Sequence, residues 1–369
     1  MDTQRSLISN LTPIRGIAAL LVVVFHFEIL LVIFLPPSTS LFFRKCYLMV
    51  DLFFVMSGFI IAHVYGFSFK KQIPGTSMGK YMRSRFARIY PLHVVALIAT
   101  VILVRLVDPH LPGVNDPYAI PTHLMMLQAF GIHKIYTWNV PAWSISAEFF
   151  AYLLFPFINF LLFRFRRFLT LFLIAGIAVS YYILIYHLGN DHDHLGPYNL
   201  DITYDFGWLR GIAGFYTGVL LYRLYETRSL YFLRHDLSFV ILTILMFATL
   251  HYGWPDYFSI PLFGFIVLSA AYNTSSLKRI FDTKHFQFIG DVSYSIYLLQ
   301  LPLTYVILYV LSMIGINYAG PYTYHLPYWQ SLICCLAFLA LLIWLSAITY
   351  RYIEKPLRNY INSLPARSA

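Results

Sequence analysis

The chain has 369 residues, of which 59% are hydrophobic and only 11% charged, against roughly a quarter charged in a soluble domain, which argues against a water-soluble fold. The formal charge of +10 would suit nucleic acid, but Lys and Arg cluster between apolar runs rather than along one polar face, so no nucleic-acid partner is expected. Cys46 stands alone and Cys334 and Cys335 are adjacent, a pattern that makes neither a disulfide framework nor a spaced set of metal ligands.

A membrane-crossing helix needs about 20 apolar residues. Ten segments reach or approach that length: 11–35, 47–67, 89–107, 141–163, 168–188, 206–222, 237–252, 257–272, 286–314 and 329–350. The expected fold is all-α, a polytopic transmembrane bundle of about ten spans. The apolar run after Arg15 is too long for a cleavable signal and lacks a small-residue cleavage pattern before Pro36 and Pro37, so it should remain as the first span. With the N-terminus cytoplasmic, 21 of the 26 Lys and Arg residues fall on the inner side, four fall outside and Arg210 lies within the sixth span, as the positive-inside tendency requires. Both termini are then cytoplasmic. The acidic stretch 191–205 and the connection 108–140 fall outside, and residues 119–132 within that connection read as an interfacial or re-entrant helix. The seventh and eighth segments are the shortest, parted only by the turn 253–256. No internal repeat is visible, and residues 1–369 form one membrane domain.

A charge in the bilayer centre costs about 2.5–3.5 kcal/mol on insertion scales, so ionisable residues inside spans are candidates for a site. The first span carries Arg15, His26 and Glu28. Arg15 and His26 are eleven residues apart, close to three turns, and share a helix face roughly 16 Å apart along the axis. Taken singly, Arg15 also suits a snorkelling anchor and His26 a packed core histidine. The second span has Asp51 near its outer end, where it suits a helix N-terminus, and Ser57 near its middle. In the fourth span Trp143 is followed by Ser144, Glu148 and Tyr152 at i, i+4 and i+8 on one face. A buried Glu148 needs a partner, and His26 and Arg210 are the candidates. An imidazole beside a carboxylate makes a general base, the acid holding the tautomer and stabilising the imidazolium. Arg83, Arg85 and Arg88 precede the third span. They read either as a topology signal or as a fork for phosphate, which Arg binds in bidentate fashion.

At these motifs the chain resembles the acyltransferase-3 family of membrane acyltransferases, which modify bacterial surface polysaccharides and some small molecules. The resemblance is carried, in order, by RGIAALLVVVFH from Arg15, VDLFFVMSGFII from Val50, RSRFARIYPLH from Arg83 and WSISAEFFAYLLFP from Trp143. IGDVSYSIYLLQLPL from Ile289 and YRYIEKPLR from Tyr350 complete the set. It implies ten core spans in the bacterial cytoplasmic membrane, with acetyl-CoA or another acyl-CoA as a donor substrate engaged from the cytoplasm. The implied acceptor is a hydroxyl of a glycan or lipid-linked glycan. By the same resemblance His26 is the catalytic base, Arg15 its companion, and Arg85 and Arg88 contact CoA. Two positions depart from the pattern: Ser84 stands where the family often has Arg, and Gln300 where it often has His. Ending at Ala369, the chain reads as the stand-alone type, without an appended hydrolase-like domain.

The expected enzyme therefore binds acyl-CoA through Arg15, Arg85 and Arg88. His26, supported by Glu148 or Asp51, deprotonates the acceptor, while Ser57, Trp143, Tyr152 and Tyr294 shape the cavity. An acyl-Ser57 intermediate ranks below direct transfer, because Ser in a packed span most often bonds its own backbone. Two alternatives stand: a macrolide-like acceptor, and a transporter or flippase in which the same residues form a polar path. Against the latter, the two halves lack matching Gly- or Pro-broken segments.

Overall fold

In hydrocarbon every backbone N–H and C=O must be satisfied within the protein, which a helix does by itself. The apolar runs of this chain are accordingly helical, and no strand occurs among the described residues. The computed structural model describes residues 8–364 except 34, 36, 37, 108–114, 190–197 and 317–325. The start of the acidic stretch 191–205 and the start of the connection 108–140 thus lie outside the described residues.

In chain order the helices are α1 (Leu11–Leu30), α2 (Met49–Tyr65), α3 (Gly75–Val107), α4 (Ala119–Leu124), α5 (Trp143–Arg164), α6 (Arg166–Ile183) and α7 (Gly207–Thr227). They continue with α8 (Asp236–His251), α9 (Ser259–Tyr272), α10 (Ser276–Phe281), α11 (Lys284–Met313), α12 (Tyr328–Thr349) and α13 (Lys355–Ser363). Seven helical stretches are long and apolar enough to cross a membrane. The other three expected spans are helical too, but α7 is interrupted by Arg210, Arg223 and Glu226, and α8 and α9 have 16 and 14 residues. At 1.5 Å per residue those two reach about 24 and 21 Å, short of a hydrocarbon core about 30 Å thick.

Two expected boundaries move. The third span, expected over 89–107, is the second half of a 33-residue helix with Pro91 in its interior. The stretch before it extends the helix because Tyr81 is fully buried, its ring against Phe69 and Phe155 and its hydroxyl donating to the Tyr152 carbonyl at 3.0 Å. The arginine segment is therefore helix, and Arg85 and Arg88 share one face of it. The helix expected over 119–132 stops at Leu124. Met126 turns to φ 57°, and its carbonyl is taken by Ser146 Oγ at 2.6 Å, a partner outside the helix.

Close helix packing sets the register around the site. A Cβ on Gly16 of α1 would lie 2.7 Å from the backbone nitrogen of Gly290 in α11, and one on Gly290 would strike the Thr12 carbonyl. Only glycine allows that approach. The two helices run parallel from there: Gln287 Nε2 donates to the Ser9 carbonyl at 3.1 Å, and Arg15 reaches Gly290 and Ser293. His26 then falls level with Gln300.

Candidate active site

The first-span arginine is anchored by that register. Arg15 Nε donates to Ser293 Oγ at 3.1 Å and Nη2 to the Gly290 carbonyl at 3.2 Å. On α3, Arg85 Nη2 donates to Ser84 Oγ at 3.0 Å and to the Tyr65 hydroxyl at 3.3 Å, with its guanidinium over the rings of Tyr65 and Tyr152. Its buried Nε has no acceptor among the described residues. Arg88, one turn on, pairs with Glu354 and lies over the Tyr294 ring. Glu354 is delivered by a widened π-type turn, Tyr350–Glu354, that joins α12 to α13, the kind of helix irregularity often found at functional sites. Its other oxygen accepts from Ser295 Oγ at 2.8 Å, and only 2% of the residue is exposed.

Arg15, Arg85 and Arg88 border one open cavity between α1, α2, α3, α5 and α11. Arg15, Arg85, Arg88, Ser57, Glu148, Tyr152 and Tyr294 all line it. Tyr294 is fixed by donating to the Ile89 carbonyl at 2.6 Å. Across the cavity Tyr152 donates to Glu148 Oε1 at 2.6 Å and meets Ser57 Oγ at 2.9 Å. Since the phenol's proton goes to the carboxylate, Ser57 is the donor to Tyr152. The cavity is thus cationic along its α1 and α3 walls and carries a hydrogen-bonded hydroxyl, phenol and carboxylate on its α2 and α5 walls. Such a site suits a ligand with an anionic group and a polar or acyl extension. Among the described residues no cluster of three or more His, Cys, Asp or Glu could hold a metal ion.

His26, Asp51 and Trp143 do not line the cavity. His26 is half-buried on α1, its ring edge-on to Phe25. Its Nδ1 lies 3.0 Å from the Val22 carbonyl. A carbonyl can only accept, so Nδ1 carries the proton and Nε2 keeps the lone pair. On α11 the cavity wall extends as far as Tyr297. Gln300, level with His26, is three residues or about 4.5 Å further along that helix. The imidazole therefore sits about one turn beyond the cavity's end.

The expected carboxylate partners of His26 are corrected. Asp51 forms a two-pronged ion pair with Arg210, Oδ2 to Nη2 at 2.6 Å and Oδ1 to Nε at 3.0 Å, both residues 1% exposed. Trp143 lies against that same guanidinium, 5.2 Å from ring centre to charge, rather than shaping the cavity. Glu148, expected to meet His26 or Arg210, meets Tyr152 instead, because Arg210 is committed to Asp51 and the His26 ring lies beyond the cavity. Beside the Asp51 pair, Lys45 binds Asp256 at 2.8 Å, and Tyr47 and the Leu200 N–H donate to the same carboxylate. Glu354, Tyr65 and the placement of Gln300 are additions. Glu354 had one signal in the sequence, a lone acid in the basic segment YRYIEKPLR.

The fold and cavity together define a helical membrane protein with an arginine-lined cavity between its helices. The acyltransferase-domain family (Acyl_transf_3) matches residues 8–351, and the chain belongs to that family. It is similar to "Acyltransferase MdmB" of Streptomyces mycarofaciens, 39% identical over 110 residues, which are 29% of this chain and 27% of the relative. It is also similar to "Protein 2 in picA locus" of Rhizobium radiobacter, 47% identical over 88 residues, 24% of this chain and 40% of the relative. The matches thus span well under half the length of these curated relatives. No solved structure matches the chain.

Proposed function

We propose that the protein is an acyl-CoA-dependent O-acyltransferase of the bacterial cytoplasmic membrane, with ten spans and both termini in the cytoplasm. It acts on a hydroxyl of a surface or exopolysaccharide glycan or its lipid-linked precursor, and the acyl group is acetyl. The observation that carries the reading is the convergence of Arg15, Arg85 and Arg88 on one cavity within the span bundle. Three guanidiniums line the cavity with one carboxylate, Glu148, while Glu354 and Asp291 lie near Arg15 outside the lining, so cations predominate on the cavity wall, as a phosphate ligand requires. The donor's phosphates bind there, and its flexible arm extends along α1, past Tyr297, towards His26, roughly 16 Å from Arg15 along the axis. His26 Nε2 takes the proton of the acceptor hydroxyl as its oxygen bonds to the thioester carbonyl carbon. The C–S bond breaks, and the departing CoA thiolate recovers the proton from the imidazolium.

Purified His26→Ala protein should bind acyl-CoA with near-unchanged affinity and release CoA in the presence of acceptor about 10²- to 10⁴-fold more slowly, the usual size of a lost general base. Normal turnover by that variant would remove His26 from the reaction. Mass spectrometry of surface glycans from producing and deleted strains identifies the acceptor through a lost acyl mass.

A further inference from the structure

The His26 ring and Gln300 are each oriented by a backbone carbonyl, and the two orientations are complementary. The Val22 carbonyl holds the proton on Nδ1 and leaves Nε2 as the basic atom. The Tyr297 carbonyl accepts from Gln300 Nε2 at 2.9 Å. A carbonyl cannot donate, so the amide is turned with its nitrogen to Tyr297 and its oxygen away. That oxygen is buried and has no hydrogen bond among the described residues, while the residue as a whole is 1% exposed and stands beside the imidazole. A buried carbonyl oxygen without a donor carries a desolvation cost. A neutral His26 has no proton at Nε2 to give it; an imidazolium has.

We propose that Gln300 is a positioning residue for acyl transfer, its Oε1 receiving the Nε2–H that His26 acquires when it deprotonates the acceptor. The proposal rests on the reading of His26 as the base. No bond other than this hydrogen bond forms at Gln300, and the proton returns to the leaving thiolate. Charged neighbours do not compete for the role. Glu28, two residues along α1, faces Arg44; Tyr47, whose ring meets Phe25, is bound to Asp256; Cys335 of α12 lies near Glu28; and the Tyr297 hydroxyl is held by Ser144 and the Pro141 carbonyl.

The test is the pH profile of kcat/KM for CoA release by purified full-length protein with acetyl-CoA and an acceptor glycan. Gln300→Leu should lower kcat about tenfold, as loss of a hydrogen bond to a charged group implies, with KM for acetyl-CoA unchanged. Its acid limb should move to lower pH, since the imidazolium has lost its acceptor. Gln300→Glu should move the acid limb the other way. A residue that merely fills space would not shift the limb in opposite directions. If both variants keep the wild-type limb while His26→Ala is inactive, the role of Gln300 is overturned and His26 stands. If His26→Ala is active, both readings fall together. Acetyl-CoA binding confirms folding, and should the Leu variant not fold, the near-isosteric Glu variant decides alone.

Discussion

Two regions of this bundle bury guanidinium groups, and they treat them in opposite ways. Around Arg210 the charges are matched: Asp51 takes two prongs, the Ile202 carbonyl a third at 3.1 Å, and Trp143 covers the cation's face. Next to it Lys45 and Asp256 close a second pair. Arg15 and Arg85 instead donate to hydroxyls and a backbone carbonyl, and space opens beside them, with Glu354, Asp291 and Glu148 near Arg15 but not hydrogen-bonded to it among the described residues. Burying a charge costs several kcal/mol unless it is paired. On the function proposed above, the second region leaves room for the donor's phosphates to complete the pairing. The first region ties the segments around Ile202 and Asp256 to the helices.

The contrast breaks most sharply at Arg210. Arg210→Leu leaves Asp51 buried without its partner and should cost about 3–5 kcal/mol of stability, read as a large fall in the thermal midpoint of the detergent-solubilised protein. Adding Asp51→Leu should recover much of it, because two apolar groups replace a broken pair. If the single variant keeps the wild-type midpoint, the pair is not the structural tie described here. Arg85→Ala should do the reverse. It removes a cation with little compensation, so the midpoint should hold, while affinity for acyl-CoA falls about 10- to 100-fold, the value of a hydrogen bond to a charged group. Unchanged affinity, measured by calorimetry, would make the α3 arginines a topology signal and nothing more.

Much of this was legible in the sequence, for reasons that also explain the rest. The helices follow from runs of apolar residues, and Arg15, Glu148 and Tyr152 stood out because polar groups in such runs are costly, whereas Arg85 and Arg88 stood out as a basic cluster ahead of the third span. Their neighbours did not, because pairing across helices depends on register. Asp51 and Arg210 are 159 residues apart in the chain, and Arg88 and Glu354 are 266 apart. Nothing in local spacing says that Arg210 prefers Asp51 to Glu148. The Gly16 and Gly290 contact fixes α1 against α11, and from it follows the alignment of His26 with Gln300, but a lone glycine in an apolar run gives no sign of what it touches. The start of α3 lies earlier than expected because a basic stretch resembles a loop when the burial of Tyr81 is not yet known.

A third buried cluster sharpens the comparison, since it avoids charge altogether. In the connection before α5, His123 is 1% exposed, its Nε2 2.9 Å from Thr137 Oγ1, and its carbonyl accepts from His93 Nε2 at 2.9 Å. Burial, then the neighbouring His93 and His133, push its ionisation down to about 3. Asp116 lies nearby only across His133, at 3.9 Å. An unfolded chain protonates this ring near pH 6.5 and the folded protein does not, so below that pH the unfolded state binds the extra proton. Stability should therefore be complete at pH 7 and fall as the pH drops from about 6.5 towards 3, by at most about 1.4 kcal/mol per unit from this group. Thermal midpoints of the wild type and of His123→Gln, measured between pH 7.5 and 5.5, give the check. The variant should be less stable at pH 7.5 and should lose less than the wild type on acidification. Parallel curves would mean that the ring stays neutral in both states, or charged in both, and that this connection contributes no acid sensitivity to the fold.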